Sequence, residues 1–127
     1  MKPITNLWLD DERPCLYVGN WTVAKNYDEA VAIMKNYTVR HASLDHDLAP
    51  EHYVPGGYDK PEVYNNFTEK TGYDFVKWMK TNDVWPQHPP IVHSLNPVGA
   101  RRMAHVLARH YDCRSEHLLI PYRKPHK

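Results

Sequence analysis

Leu7-Trp8-Leu9-Asp10-Asp11 decides the fold: an apolar run of strand length stops abruptly on two carboxylates. The same event recurs twice. Ala42-Ser43-Leu44 stops at Asp45-His46-Asp47, and Ile91-Val92 stops at His93-Ser94. Short continuous apolar runs suit strands buried on both faces, as in parallel sheets. If the three runs are parallel strands of one sheet, their carboxyl ends converge. Four carboxylates and two imidazoles then share one small space.

The intervening sequence supports that arrangement. Trp21-Thr22-Val23-Ala24 is rich in β-branched and aromatic types and reads as a further strand. Asp28 reads as an N-cap, and Ala30, Val31, Ile33, Met34 and Tyr37 follow at helical spacing, predicting a helix over 28–37. Val39 to Leu44 is the next strand. Thr71 and Asp74 resemble a capping box ahead of the apolar positions Phe75, Val76, Trp78 and Met79. Ile91-Val92-His93 is the fourth strand. Asn96-Pro97 is the clearest helix start, an Asn cap with Pro at the first helical position. Ala100, Met103, Ala104, Leu107, Ala108 and Tyr111 then keep a helical period. Leu118-Leu119-Ile120 reads as a fifth short strand. Strands alternating with helices predict an α/β domain with a five-stranded parallel sheet. Right-handed crossovers place helices on both faces, and ligands at the carboxyl ends of the strands.

Length and charge narrow the function. The chain of 127 residues reads as one domain, able to bury roughly 65–70% of its unfolded surface. Sixteen Lys and Arg against fifteen Asp and Glu leave a net charge of +1, which excludes a generic nucleic-acid sponge and an acidic tail. Nine His supply groups that titrate near neutrality and ligate metals. Cys15 and Cys113 form no paired motif, so reduced thiols and a cytoplasmic location are expected. No apolar stretch approaches the ~18 residues of a membrane span, and Met1-Lys2-Pro3-Ile4-Thr5-Asn6 lacks a signal-peptide core.

Residues 48–70 break the rhythm, with Pro50, Pro55, Gly56-Gly57, Pro61 and several aromatics. A connection this long, leaving directly from Asp47, reads as a lid or substrate-binding loop. The plainer reading is a surface insertion.

The polar stops carry the chemistry. Hard divalent cations take oxygen ligands, and Mg²⁺ commonly combines one or two carboxylates with water and phosphate. Asp10, Asp11 and Asp45 are the metal candidates, with Asp47 as a further ligand. Mg²⁺ or Mn²⁺ is expected before Zn²⁺, while His46 or His93 as a ligand would favour Mn²⁺ or Zn²⁺. Carboxylates this close need a cation, a proton or Arg13 as partner. Any one of Asp10, Asp11 and Asp47 alone is better explained as a cap or turn residue; the three stops together are not. The helix beginning at Pro97 has a positive dipole end suited to phosphate. Ser94, the backbone after Asn96, and Arg13 are the phosphate-binding candidates. His46 and His93 are acid–base candidates, with Asp45 the third catalytic residue. Arg101, Arg102, His105 and Arg109 share a helix face that reads either as solvated surface or as a weak RNA contact.

Asp10–Asp11, Asp45 and Ser94 after successive strands resemble the receiver domain of two-component response regulators, with its flavodoxin-like sheet. More closely, Leu9-Asp10-Asp11-Glu12-Arg13-Pro14, Ser43-Leu44-Asp45-His46-Asp47-Leu48 and His93-Ser94-Leu95-Asn96-Pro97-Val98-Gly99-Ala100 resemble the cyclic-phosphate-processing receiver-like family. In receivers the acidic pair and the third Asp bind Mg²⁺, the third Asp accepts a phosphoryl group, and the Ser or Thr contacts it. The resemblance therefore implies metal at Asp10, Asp11 and Asp45, and phosphate at Ser94. It also implies a substrate such as an RNA cyclic phosphate end or a related nucleotide, in the manner of RNA repair. The chain departs from receivers at His46, Asp47 and His93. Ile120-Pro121 stands where receivers carry a Lys, and no final helix is expected after Leu118-Leu119-Ile120. These departures point from signalling toward turnover, that is, toward a metal-dependent phosphoesterase of cyclic phosphates. A phosphoacceptor module using Asp45 and a non-catalytic nucleotide-binding module are the competing readings.

Overall fold

The computed structural model describes residues 2–49 and 70–120. The lid expected within 48–70 therefore lies almost wholly outside the described residues, as does Pro121. The element order is β1 (Ile4–Leu9), β2 (Trp21–Ala24), α1 (Tyr27–Asn36), β3 (Thr38–Leu44), α2 (Gly72–Asn82), β4 (Ile91–Val92) and α3 (Pro97–Tyr111), then a 3₁₀ turn at Ser115–Leu118.

The sheet order is β2-β1-β3-β4, and every pairing is parallel. This is the flavodoxin-like order, which reverses between β1 and β3. Among the described residues the sheet has four strands rather than the five expected. Leu118 ends the 3₁₀ turn, and Leu119 makes a single parallel bridge to Val92. An apolar triplet reads alike in both settings; here Ser115–Leu118 spends its backbone on a local turn, and the sheet receives a single bridge, closed by the Ile120 N–H to the Val92 carbonyl.

Local chemistry explains the helix starts. Thr71 and Asp74 form a full capping box, and Asn96 caps α3 by accepting from the Gly99 N–H, with Pro97 at the first turn. The cap of α1 is Asn26, which accepts from the Glu29 N–H, and Asp28 falls inside the first turn instead. There its charge still favours the positive end of the helix.

Leu7, Leu9, Ala42, Leu44 and Val92 face one side of the sheet and join a core with Ala30, Met34, Phe75, Met79, Met103 and Leu107 from all three helices. Crossovers β2-α1-β3 and β3-α2-β4 both advance in the same direction, so right-handedness puts these helices on the same face. The β1 to β2 connection runs the other way and contains no helix. Among the described residues, helices therefore cover one face and not both. The other face carries Trp8, which Tyr17 meets edge-on at 6.1 Å. Tyr17 in turn stacks on Trp21 at 4.9 Å.

Candidate functional site

Trp8, Ser43 and Ile91 are in register across β1, β3 and β4, on the face away from the helices. The ladder continues one step past the strand ends: Asp10 N–H donates to Ala24, Asp45 N–H to Leu9, and His93 N–H to Leu44. Side chains alternate along strands, so Asp10, Asp45 and His93 form the next row on that face. Each offers a ligand atom, and these atoms lie within 4.8 Å of one another. All three residues are at most 3% exposed.

Asp10 turns the chain over this row. Its Oδ1 accepts the backbone N–H groups of Glu12 and Arg13, both at 2.9 Å. The Trp8 indole N–H donates to the Arg13 carbonyl at 2.9 Å and pins the turn from below. The Arg13 side chain then folds back across the site. Its Nε donates to Asp10 Oδ2 at 2.9 Å and its Nη2 to Asp45 Oδ2 at 2.6 Å. Among the three partners a carboxylate cluster needs, the structure thus shows the arginine.

His93 is fixed on every side. It stacks on Trp8 with centroids 4.1 Å apart and planes 9° from parallel. Its Nε2 lies 3.0 Å from Asp10 Oδ2, and its Nδ1 lies 2.7 Å from Ser43 Oγ. Asp10 is acceptor-only when ionised, so Nε2 carries the proton toward it. The Ser43 hydroxyl can donate to a bare Nδ1 or accept from a protonated one. It therefore serves either tautomer, and also the state in which Nε2 has given its proton up to bind a cation. Ser43 is a site residue that sequence reasoning missed. The signal available was a lone hydroxyl inside a run otherwise buried.

The two carboxyls titrate apart. Burial raises the Asp45 pKa to about 6, and the Asp10 charge adds to this; Arg13, His93 and a hydrogen bond with Ser94 work against it. For Asp10 burial also pushes upward, but His93, the backbone N–H groups of Arg13 and Glu12, and the Arg13 charge outweigh it and hold the carboxyl below its usual range. Burial opposes the charge on Arg13, yet Asp45 and Asp10 together hold its pKa above the ordinary arginine value.

A second group lies on the helix side of the same edge. His46 Nδ1 is 2.7 Å from Asp47 Oδ1, which also accepts from Asn96 Nδ2 at 3.2 Å. A side chain on Gly99 would stand 2.5 Å from the His46 ring, and one on Gly72 would stand 2.0 Å from the Asp45 carbonyl. Gly72 lets the start of α2 close onto the Asp45-His46 backbone, where its N–H donates to the His46 carbonyl at 2.8 Å, and Gly99 lets the start of α3 close onto the His46 ring. His46 and Asp47 are buried beneath these helix starts.

The remaining expected site residues are placed as follows. Asp11 is half-buried and outside the converging trio. Ser94 is half-buried; its Oγ accepts the Asn96 N–H at 3.0 Å and its hydroxyl reaches Asp45. The Asn96 side chain is committed to capping α3 and to Asp47. Beside Ser94 opens a cavity of about 360 Å³, whose walls include Leu95, Ala100, Arg101 and Leu119. Arg101, His105 and Arg109 are exposed, and Arg102 lies over the Tyr73 ring at 4.1 Å.

Two carboxylates and one imidazole, buried and converging, fit a divalent cation of the Mg²⁺, Mn²⁺ or Zn²⁺ class, with the imidazole favouring the latter two. Burial raises Asp45 most, and a cation would relieve the Asp10 repulsion that adds to it.

Compared with known families, residues 5–109 match the model of the cyclic-phosphate processing receiver domain. That span runs from β1 into the last turn of α3 and contains every site residue named above. No curated protein matches the chain.

Proposed function

The chain belongs to the cyclic-phosphate processing receiver domain family, and from that premise we propose a metal-dependent phosphoesterase that opens a cyclic phosphate. The substrate class is a 2′,3′-cyclic RNA end or a cyclic nucleotide. In the reaction a water oxygen bonds to phosphorus, one ring P–O bond breaks, and the proton passes to the departing sugar oxygen. A phosphomonoester remains.

The observation that carries this reading is the buried convergence of Asp10, Asp45 and His93 beside Ser94 and the start of α3. Asp10, Asp45 and His93 would hold the cation, with Asp11 in support; Asp47, expected as a further ligand, is instead tied to His46 and Asn96 and is not among the converging atoms. Bound there, a cation supplies charge to the phosphoryl oxygens and acidifies a water. Ser94 presents a hydroxyl at the rim, and the α3 dipole favours the phosphate charge. The Ser43-His93-Asp10 chain holds or releases a proton at His93 Nε2 without moving the ring. His46, wedged against Gly99 and tied to Asp47, sets the position of α3 relative to Asp45 in this reading.

An acceptor role for Asp45 is less well supported. One of its oxygens accepts the His46 N–H at 2.8 Å, the other takes Arg13, and the residue is fully buried. The exposed Arg101, His105 and Arg109, with Arg102, would guide a polynucleotide; RNA binding should then weaken steeply with salt.

The test is incubation with Mg²⁺ or Mn²⁺ and an RNA ending in a 2′,3′-cyclic phosphate. Wild type is expected to convert the end to a monoester, and Asp45→Asn to lose at least a hundredfold in rate. Equal behaviour of the two proteins, or no turnover by either, refutes the proposal.

A further inference from the structure

We propose that Arg13 is a built-in competitor for the cation, so that metal entry and Arg13 departure are one event. The inference rests on the proposed cation site and not on turnover.

Arg13 bridges the two carboxylates that any cation in the trio must use. It occupies Asp10 Oδ2 and Asp45 Oδ2 together, at 2.9 and 2.6 Å. With His93 neutral, the two carboxylates and Arg13 sum to one negative charge. A divalent cation added with Arg13 in place would turn that sum positive and set a guanidinium against it in a buried space. With Arg13 displaced, the cation and the two carboxylates balance. Electrostatics therefore favours exchange over co-occupancy.

The backbone geometry is compatible with that exchange. The backbone of Arg13 is held independently of its guanidinium, by its N–H to Asp10 Oδ1 and its carbonyl from the Trp8 indole. The side chain is 17% exposed while its two partners are fully buried. Rotation about side-chain bonds carries the guanidinium to the rim without disturbing the turn or the strand. A forked donor then stands at the mouth of the site, where bidentate contact with a phosphate is strong. Arg13 is thus a latch on the empty site and a phosphate ligand on the loaded one, and it sets how much cation the site needs.

The experiment is calorimetric titration with Mn²⁺ of wild type, Arg13→Gln and Arg13→Lys, without substrate. Arg13→Gln is expected to bind Mn²⁺ at least tenfold more tightly than wild type, with Arg13→Lys in between. Equal or weaker binding by Arg13→Gln, or no binding by either protein, overturns the inference. If Arg13→Gln fails to fold, wild type itself is decisive. In ¹⁵N-labelled protein titrated with Mg²⁺, the Arg13 Nε–H signal should broaden into solvent exchange as the cation binds, while the Trp8 indole N–H signal persists. Retention of the Arg13 signal at saturation contradicts the exchange. Tight Mn²⁺ binding by Arg13→Gln in a protein without turnover would remove the phosphoesterase reading alone.

Discussion

Asp45 has a pKa near 6 in the fold and about 3.8 as an ordinary carboxyl, so the folded state binds its proton more tightly than the unfolded chain. Stability should therefore fall as pH rises from about 4 to about 6, and level off above. A shift of this size corresponds to about 2–3 kcal/mol. Asp10 is shifted the other way and acts below that window, where acid removes its contribution. Urea unfolding of wild type and Asp45→Asn across this range should show the slope in wild type only; parallel curves would contradict the assignment. Ser43→Ala leaves the buried His93 Nδ1 without its partner and is expected to cost about 1–3 kcal/mol. The acids were legible in the sequence, because charge at the end of an apolar run has few explanations. Ser43 was not: its contact with His93 spans 50 positions and exists only through the β3–β4 register. Arg13 was legible as a partner of the acids but not as a bridge between two of them.

At the scale of elements, two glycines record how closely α2 and α3 approach the end of β3. Gly72→Ala would drive a methyl into the Asp45 carbonyl, which is backbone and cannot yield, whereas Gly99→Ala would meet the His46 ring. Both should destabilise, Gly72→Ala by more than the 1–3 kcal/mol typical of overpacking and Gly99→Ala within it. Chemical denaturation ranks them, and the reverse order would show that His46 is the more rigid wall. Asn96→Ala removes a helix cap, worth about 1 kcal/mol, together with the contact to Asp47. The starts of α2 and α3 were readable because caps are local chemistry. The fifth strand was misread because three apolar residues do not specify their neighbour, and the segment makes a single bridge to Val92, through Leu119 and the Ile120 N–H.

At the scale of the molecule, helices gather on one face among the described residues, and the Asp10, Asp45 and His93 row falls on the other. Trp8, Ser43 and His93 belong to the face away from the core, where Tyr17 and Val23 are exposed. Parallel strands and their alternation with helices were evident in the sequence; which face each crossover takes required the strand order. A cation bound by the trio should stabilise the whole fold, by about 2.7 kcal/mol at a hundred times its Kd. Thermal unfolding with and without Mn²⁺ reads this, and Asp45→Asn should abolish the shift. The most direct measurement follows a 2′,3′-cyclic nucleotide by ³¹P NMR in the presence of the protein and Mg²⁺. The cyclic phosphate resonance should decay into that of a monoester with wild type and persist with Asp45→Asn. A cyclic resonance that persists equally with both would contradict a hydrolytic site at Asp10, Asp45 and His93.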